Sequence, residues 1–165
     1  MKSMISWGAV LLSITLNAQR MNTPQETVTR LFIATDQQDW DQVSQSFATD
    51  VLLDYSSMNG SPAATLTPEQ IISAWKGILP GFEQTHHQVG NFISSENGER
   101  AEVFCYGTAT HYLTHKNGNV WTVVGSYDFG LSKAAGAWKI TSMKFNFKYQ
   151  DGNTALPQHA INQLK

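Results

Sequence analysis

The sequence predicts an α+β domain in which a curved antiparallel β-sheet, built from the second half of the chain, carries helices from the first half across its concave face. Three observations lead there. Two helix-start signatures, Thr23-Pro24-Gln25-Glu26 and Thr67-Pro68-Glu69-Gln70, both fall in the first half, each a capping box with proline at the first helical position. Past Thr85 the chain changes to runs of roughly ten or more residues separated by hairpin signals. These are Glu96-Asn97-Gly98, Lys116-Asn117-Gly118-Asn119 and the stretch from Lys133 to Gly136. Finally, 165 residues with 41% hydrophobic and 15% charged side chains are enough for one well-filled core.

The first nineteen residues read differently from the rest. Lys2 is a minimal positive start, Met4 to Leu16 is mostly apolar and uncharged, and Asn17-Ala18-Gln19 offers small residues for cleavage. That is the layout of a secretory signal peptide over residues 1–19, with an apolar run too short to span a bilayer comfortably. The expectation is a secreted or periplasmic protein beginning near Gln19 to Met21, with no membrane contact after processing.

The first helix follows from Thr23, with Val28, Leu31, Phe32 and Thr35 along one face. A second, short helix begins at Asp39 and turns Trp40, Val43 and Phe47 inward. Val51 to Tyr55 reads as a strand and Ser56 to Thr65, with Asn59-Gly60-Ser61-Pro62, as a loop. The helix opening at Thr67 buries Ile71, Ile72 and Trp75 and ends at Pro80-Gly81. Long strands joined by hairpins form a sheet that twists and curls, and the helices before it must cover one face. The domain therefore runs over residues 20–150. The polar tail, residues 151–165, is expected to be loosely attached.

Several functions are disfavoured at once. A net charge of -2 and no Lys/Arg cluster leave nothing to bind nucleic acid. Cys105, the single cysteine, has no partner for an internal disulfide. No Cys/His spacing suggests zinc, and no motif signals an organic cofactor, so neither metal nor cofactor is expected.

Strand alternation selects the residues that can face a cavity. His87, Val89, Asn91 and Ile93 share one face of their strand. Val103, Cys105, Gly107, Ala109 and His111 share a face of the next, small and apolar around one histidine. Small residues leave volume beside the helices, and His87 and His111 can project into it; each could equally be a hydrogen-bonded core or surface histidine. His86 falls on the opposite face and His115 beside a turn. Asp36, near the end of the first helix, lines up with Leu31 and Phe32. A carboxylate at a helix C-terminus opposes the dipole and wants a specific partner, unless it is simply solvated within Asp36-Gln37-Gln38-Asp39. Tyr55 can place a phenol at the cavity mouth or serve as a packing aromatic.

Taken in order, Asp36-Gln37-Gln38-Asp39-Trp40-Asp41, Leu53-Asp54-Tyr55-Ser56, Thr85-His86-His87, His111 and Ala137-Trp138-Lys139-Ile140 resemble scytalone dehydratase and its SnoaL-like relatives in the nuclear transport factor 2-like superfamily. The resemblance runs from about Thr23 to Tyr149. It implies a cone-shaped fold, a catalytic pair of Asp36 with His111, His87 as the second catalytic histidine, and Tyr55 as one of two tyrosines holding an active-site water. The other tyrosine falls at Thr35. The substrate-contacting serine and asparagine fall near Gly125 and Tyr127, beside Ser126 and Asp128. Thr35, Cys105, Ser126 and Tyr127 are thus the candidate substrate contacts.

The resemblance implies a lyase of the dehydratase type, without cofactor, acting on a small hydrophobic hydroxy-carbonyl or polyketide-like molecule. Two histidines, one set by a carboxylate, can divide acid and base roles. Isomerisation, aldol cyclisation or epoxide opening would use the same groups, and a non-catalytic binding module would use the same pocket. A homo-oligomer is expected, paired through the exposed side of the sheet.

Overall fold

The computed structural model describes residues 22–165. The segment expected to be a signal peptide lies outside the described residues. Helix α1 (Pro24–Asp36) starts at the Thr23 capping box, where Thr23 Oγ1 accepts from Glu26 N–H and Glu26 accepts from Thr23 N–H. Helix α2 (Trp40–Ser46) is capped by Asp39, whose carboxylate accepts from Gln42 N–H at 3.1 Å. Strand β1 (Phe47–Asp54), the single-turn α3 (Ser56–Asn59) and the short β2 (Ala64–Leu66) follow. Phe47 thus opens a strand, where periodicity had assigned it to the helix before. The second capping box, Thr67 with Gln70, opens α4 (Pro68–Lys76), and a 3₁₀ turn spans Leu79–Gly81.

Strands β3 (Gln84–Asn97), β4 (Arg100–Tyr112), β5 (Val120–Ala134) and β6 (Ala137–Gly152) are joined in sequence by hairpins. The six strands form one sheet in the order β2-β1-β6-β5-β4-β3. Every neighbouring pair is antiparallel except β1 and β6, which run parallel. The four hairpin-linked strands of the second half are antiparallel throughout, as expected, and the one parallel contact brings in β1 from the first half, across the long connection between β1 and β6. The turns match their chemistry. Ala135 and Gly136, at φ 49° and 82°, form the β5–β6 loop with the positive angles that a two-residue hairpin of this hand requires.

Along β4 the alternation is clean. Ala101, Val103, Cys105, Gly107, Ala109 and His111 are buried beneath the helices, and Glu102, Tyr106 and Tyr112 point outward. On β3 it breaks. Gly90 pairs with Tyr106 and Ile93 with Phe104, so Asn91 and Phe92 together face Cys105, and Asn91 takes φ 55°. This bulge adds one residue and flips the strand's parity. Ile93 therefore lies on the outer face, 71% exposed, and does not share the face of His87 as simple alternation predicts.

The tail is also more firmly held than its polarity suggests. Residues Leu156–Gln163 form helix α5, whose Leu156 and Ala160 are fully buried. A side chain at Gly81 would lie 2.1 Å from the carbonyl oxygen of Ala160, so the missing Cβ is what lets α5 rest on the 3₁₀ turn.

Candidate active site

Helix α1 ends over β3, and its last residue, Asp36, reaches that strand. Three donors hold the carboxylate: Thr85 Oγ1–H to Oδ1 at 2.9 Å, the His87 backbone N–H to Oδ2 at 2.7 Å, and the His87 ring through Nδ1 to Oδ1 at 2.6 Å. Burial works to raise the Asp36 pKa, but the hydrogen bonds and charge of His87, with Thr85, bring it below the ordinary value. A carboxylate only accepts, so His87 Nδ1 must carry the proton in that contact. Nε2 is then the basic nitrogen, with no protein partner among the described residues. The imidazole stacks on Phe32, with centroids 5.4 Å apart, which fixes its plane.

His111 occupies the next strand, opposite Thr85 in the ladder. It is 5% exposed and wedged between Phe82 and Trp121, with centroids 4.8 and 4.6 Å away. Its Nδ1 faces the Trp121 carbonyl oxygen at 3.4 Å. Burial, then the neighbouring His87, pushes its pKa down to about 4 against smaller opposing effects of Trp121 and Asp36. His111 is therefore neutral at pH 7. The expected Asp36–His111 pair does not form; Asp36 pairs with His87. The reason is placement: the end of α1 lies on β3, while His111 is one strand further on and turned toward β5.

Both histidines line a cavity of about 190 Å³ between the helices and the sheet, together with Phe32, Thr35, Tyr55, Trp75, Tyr127 and Phe145 among others. The other candidates divide. Tyr55 and Tyr127 face this space. Thr35 lines it too, but its hydroxyl donates to the Leu31 carbonyl at 2.8 Å, within its own helix. Ser126 pairs with Tyr106 and Asn146 and so points to the outer side of the sheet, away from the cavity. Cys105 is fully buried beside Tyr127 without reaching the cavity, and burial, with the Asp128 charge, pushes its thiol up to about 12. Residues that sequence reasoning passed over are Thr85, which has the parity of His87, and Trp121 and Phe82, which clamp His111. Wider hollows of about 530 and 670 Å³ carry no histidine. Among the described residues no group of three or more His, Cys, Asp or Glu side chains is placed to hold a metal ion.

A family model for the SnoaL-like domain matches residues 25–144, from the first helix into the last strand and including Asp36, Tyr55, His87 and His111. This chain belongs to the SnoaL-like domain family. No curated protein matches it. Solved structures agree on the SnoaL-like fold. A protein of Kribbella flavida superposes with a TM-score of 0.76 at 24% identity, over 81% of this chain and 93% of that one. A provisionally assigned scytalone dehydratase of Novosphingobium aromaticivorans gives 0.67 at 19% identity, over 77% and 83%. A hexachlorocyclohexane dehydrochlorinase gives 0.65 at 15% identity, over 78% and 84%. Identities this low establish the shared fold and nothing finer.

Proposed function

We propose that this SnoaL-like protein is an acid–base lyase that removes water, or a comparable leaving group, from a small hydrophobic carbonyl compound. The observation that supports it is the Asp36–His87 dyad, closed at 2.6 Å, on the wall of a mostly apolar cavity. A carboxylate that fixes the imidazole tautomer leaves Nε2 as an oriented base and stabilises the imidazolium formed when it takes a proton. The proton would come from the carbon next to the carbonyl. The C–H electron pair moves into an enolate, and the C–O bond to the leaving hydroxyl then breaks as the enolate collapses to the conjugated carbonyl. The imidazolium of His87 returns its proton to the departing oxygen, so the cycle closes without a further acid. His111, neutral and with Nδ1–H turned to a backbone carbonyl, presents only a lone pair at Nε2 and serves as a hydrogen-bond acceptor for the substrate. Tyr55 supplies a donor to the carbonyl oxygen.

The names of the dehydratase and dehydrochlorinase neighbours are consistent with elimination in this fold, and the low identities leave the substrate to experiment. In the proposed reading export follows the first nineteen residues, and N-terminal sequencing of protein secreted by a bacterial host checks it.

The test is His87→Gln against a panel of β-hydroxy ketones. Turnover should fall about 10²- to 10⁴-fold with far-UV circular dichroism unchanged. His86→Ala, on the exposed side of the strand, should leave turnover intact. If His87→Gln turns over as fast as the parent, the dyad is not the base. If the parent turns nothing over while ligands still bind, the protein is a binding module.

A further inference from the structure

We propose that helix α5 is a proton-released strap on the cavity, one that holds the cavity wall while His115 is neutral and lets go when His115 and His159 take up protons. The proposal goes beyond the lyase reading and uses none of its chemistry.

His115 lies in the β4–β5 loop, residues 113–119, and His159 in the middle of α5. Their rings face each other with centroids 4.2 Å apart and planes tilted by 31°, and both residues are half-buried. One nitrogen of His115 receives two donors. The Asn117 backbone N–H donates to Nδ1 at 3.2 Å, and a backbone N–H can do nothing else. The Asn153 amide nitrogen also lies 3.2 Å from Nδ1. That nitrogen donates to the Gly118 carbonyl at 3.0 Å, which only accepts, so the orientation of the amide is fixed. Two donors on one ring nitrogen require a lone pair there. His115 is therefore neutral in this arrangement, with its proton on Nε2.

The same network starts the helix. Asn153 Oδ1 accepts from Ala155 N–H at 3.1 Å, and its backbone carbonyl accepts from Leu156 N–H at 3.1 Å. No side chain of Ala155 can cap α5, so Asn153 alone ties the loop to its first turn. A proton on His115 Nδ1 would set an N–H against two N–H groups. Turning the Asn153 amide over would meet that proton but abandon both Gly118 and Ala155. The imidazolium would also press on the His159 ring, and a second proton there would put like charges in contact.

The other titratable groups on these segments are Glu83, Tyr112, Lys116, Asp151 and Lys165 with the chain's C-terminus; the 3₁₀ turn carries none. Glu83, the nearest acid along the ladder, accepts from the N–H and hydroxyl of Thr114, and Asp151 accepts from Gly152 N–H. Among the described residues none of them forms a hydrogen bond or ion pair with either ring.

What α5 holds down is the 3₁₀ turn. Ala160 rests on the bare backbone of Gly81, Leu79 of that turn lines the cavity, and Phe82 beside it packs on His111 at 4.8 Å. Releasing α5 uncovers Gly81 and frees the segment that carries Leu79 and Phe82. Histidine changes charge between about pH 8 and pH 5, so mild acid loosens this wall of the cavity.

The test is amide hydrogen exchange on the full chain, read as protection factors from about pH 8 to pH 5. In the parent, α5 protection should fall toward acid, approaching about tenfold per pH unit for each proton taken up. The Gly81 and Phe82 amides, bonded to the Ile78 and Leu79 carbonyls, should follow. Amides of the β4–β5 ladder should lag behind, which separates local release from the global effect of His111. His115→Asn puts an oxygen acceptor where Nδ1 lies and takes no proton, so it should keep α5 protected in acid. His159→Phe keeps the ring contact without the second charge and should make the fall shallower. A parent whose α5 follows the ladder at every pH, or a His115→Asn protein that releases α5 as the parent does, overturns the strap. Should His115→Asn fail to fold, His159→Phe decides, and a fall as steep as the parent's removes the histidine pair. Release of α5 with Gly81 and Phe82 still protected overturns its hold on the cavity. His87→Gln, the test of the lyase reading, leaves all these readouts in place, so either reading can fail alone.

Discussion

Asp36 is the last residue of a helix, where the dipole disfavours negative charge, and three donors from β3 offset that cost. Asp36→Asn keeps the shape but must turn either its amide NH₂ or its single oxygen toward donors that expect a carboxylate. The imidazole then loses both its tautomer and its counter-charge. Turnover should fall about 10²- to 10⁴-fold, mostly in kcat, as steady-state kinetics on any accepted substrate will show. His111 makes a second prediction, on stability. Its folded pKa of about 4 lies below the ordinary histidine value of 6.5, so between these the unfolded chain binds the extra proton. Stability is then fully present above pH 6.5 and drains away as pH falls toward 4, by roughly 3 kcal/mol at about 1.4 kcal/mol per unit. Asp36 adds a separate loss below 3.8, where its carboxylate begins to protonate in the unfolded chain first. Urea unfolding from pH 7 to 4 should show the slope in the parent and a flatter curve in His111→Gln.

Among the elements, α5 depends on a glycine in another part of the chain. Gly81→Ala would set a methyl group against the Ala160 carbonyl, and backbone cannot rotate out of the way as a side chain can. The expected cost is about 1–3 kcal/mol in urea unfolding, with α5 amides losing hydrogen-exchange protection before the sheet does. The same pairing explains why this helix escaped sequence reading. Leu156 and Ala160 are sparse apolar positions in a polar segment, and what they pack on is defined by the absence of a side chain. Features made by neighbouring residues were legible: both capping boxes, all three hairpins, and the inward parity of His87 and His111. Features set by distant pairing were not. The parallel β1–β6 ladder, the bulge at Asn91 that turns Ile93 outward, and the choice of His87 over His111 as partner for Asp36 all depend on how far α1 reaches across the sheet.

On the scale of the whole molecule, the sheet has one face covered by helices and one that no element among the described residues covers. Leu52 and Ile93 on that outer face are 48% and 71% exposed, and with Phe104 they border a groove of about 530 Å³ that also holds Asp128 and Lys144. Lys148 lies over the Tyr106 ring at 4.1 Å nearby. Apolar residues mixed with both signs of charge make a self-complementary surface, which is what a two-fold contact between identical subunits needs. A large apolar patch on a free monomer would be a solubility burden, and a chain of net charge -2 has little repulsion to keep copies apart. We therefore propose that copies pair through this face, with the cavity on the opposite side of the sheet left clear. Sedimentation velocity at micromolar concentration should give a mass above 18.3 kDa per particle, in multiples of the chain. Ile93→Lys places a charge at the most exposed apolar site without touching the core, so it should dissociate the assembly while circular dichroism and ligand binding in the cavity stay unchanged. A parent that sediments as a single chain across the accessible concentration range removes the oligomer from the account. Dissociation by Ile93→Lys accompanied by loss of cavity binding would instead mean that the assembled face also supports the site.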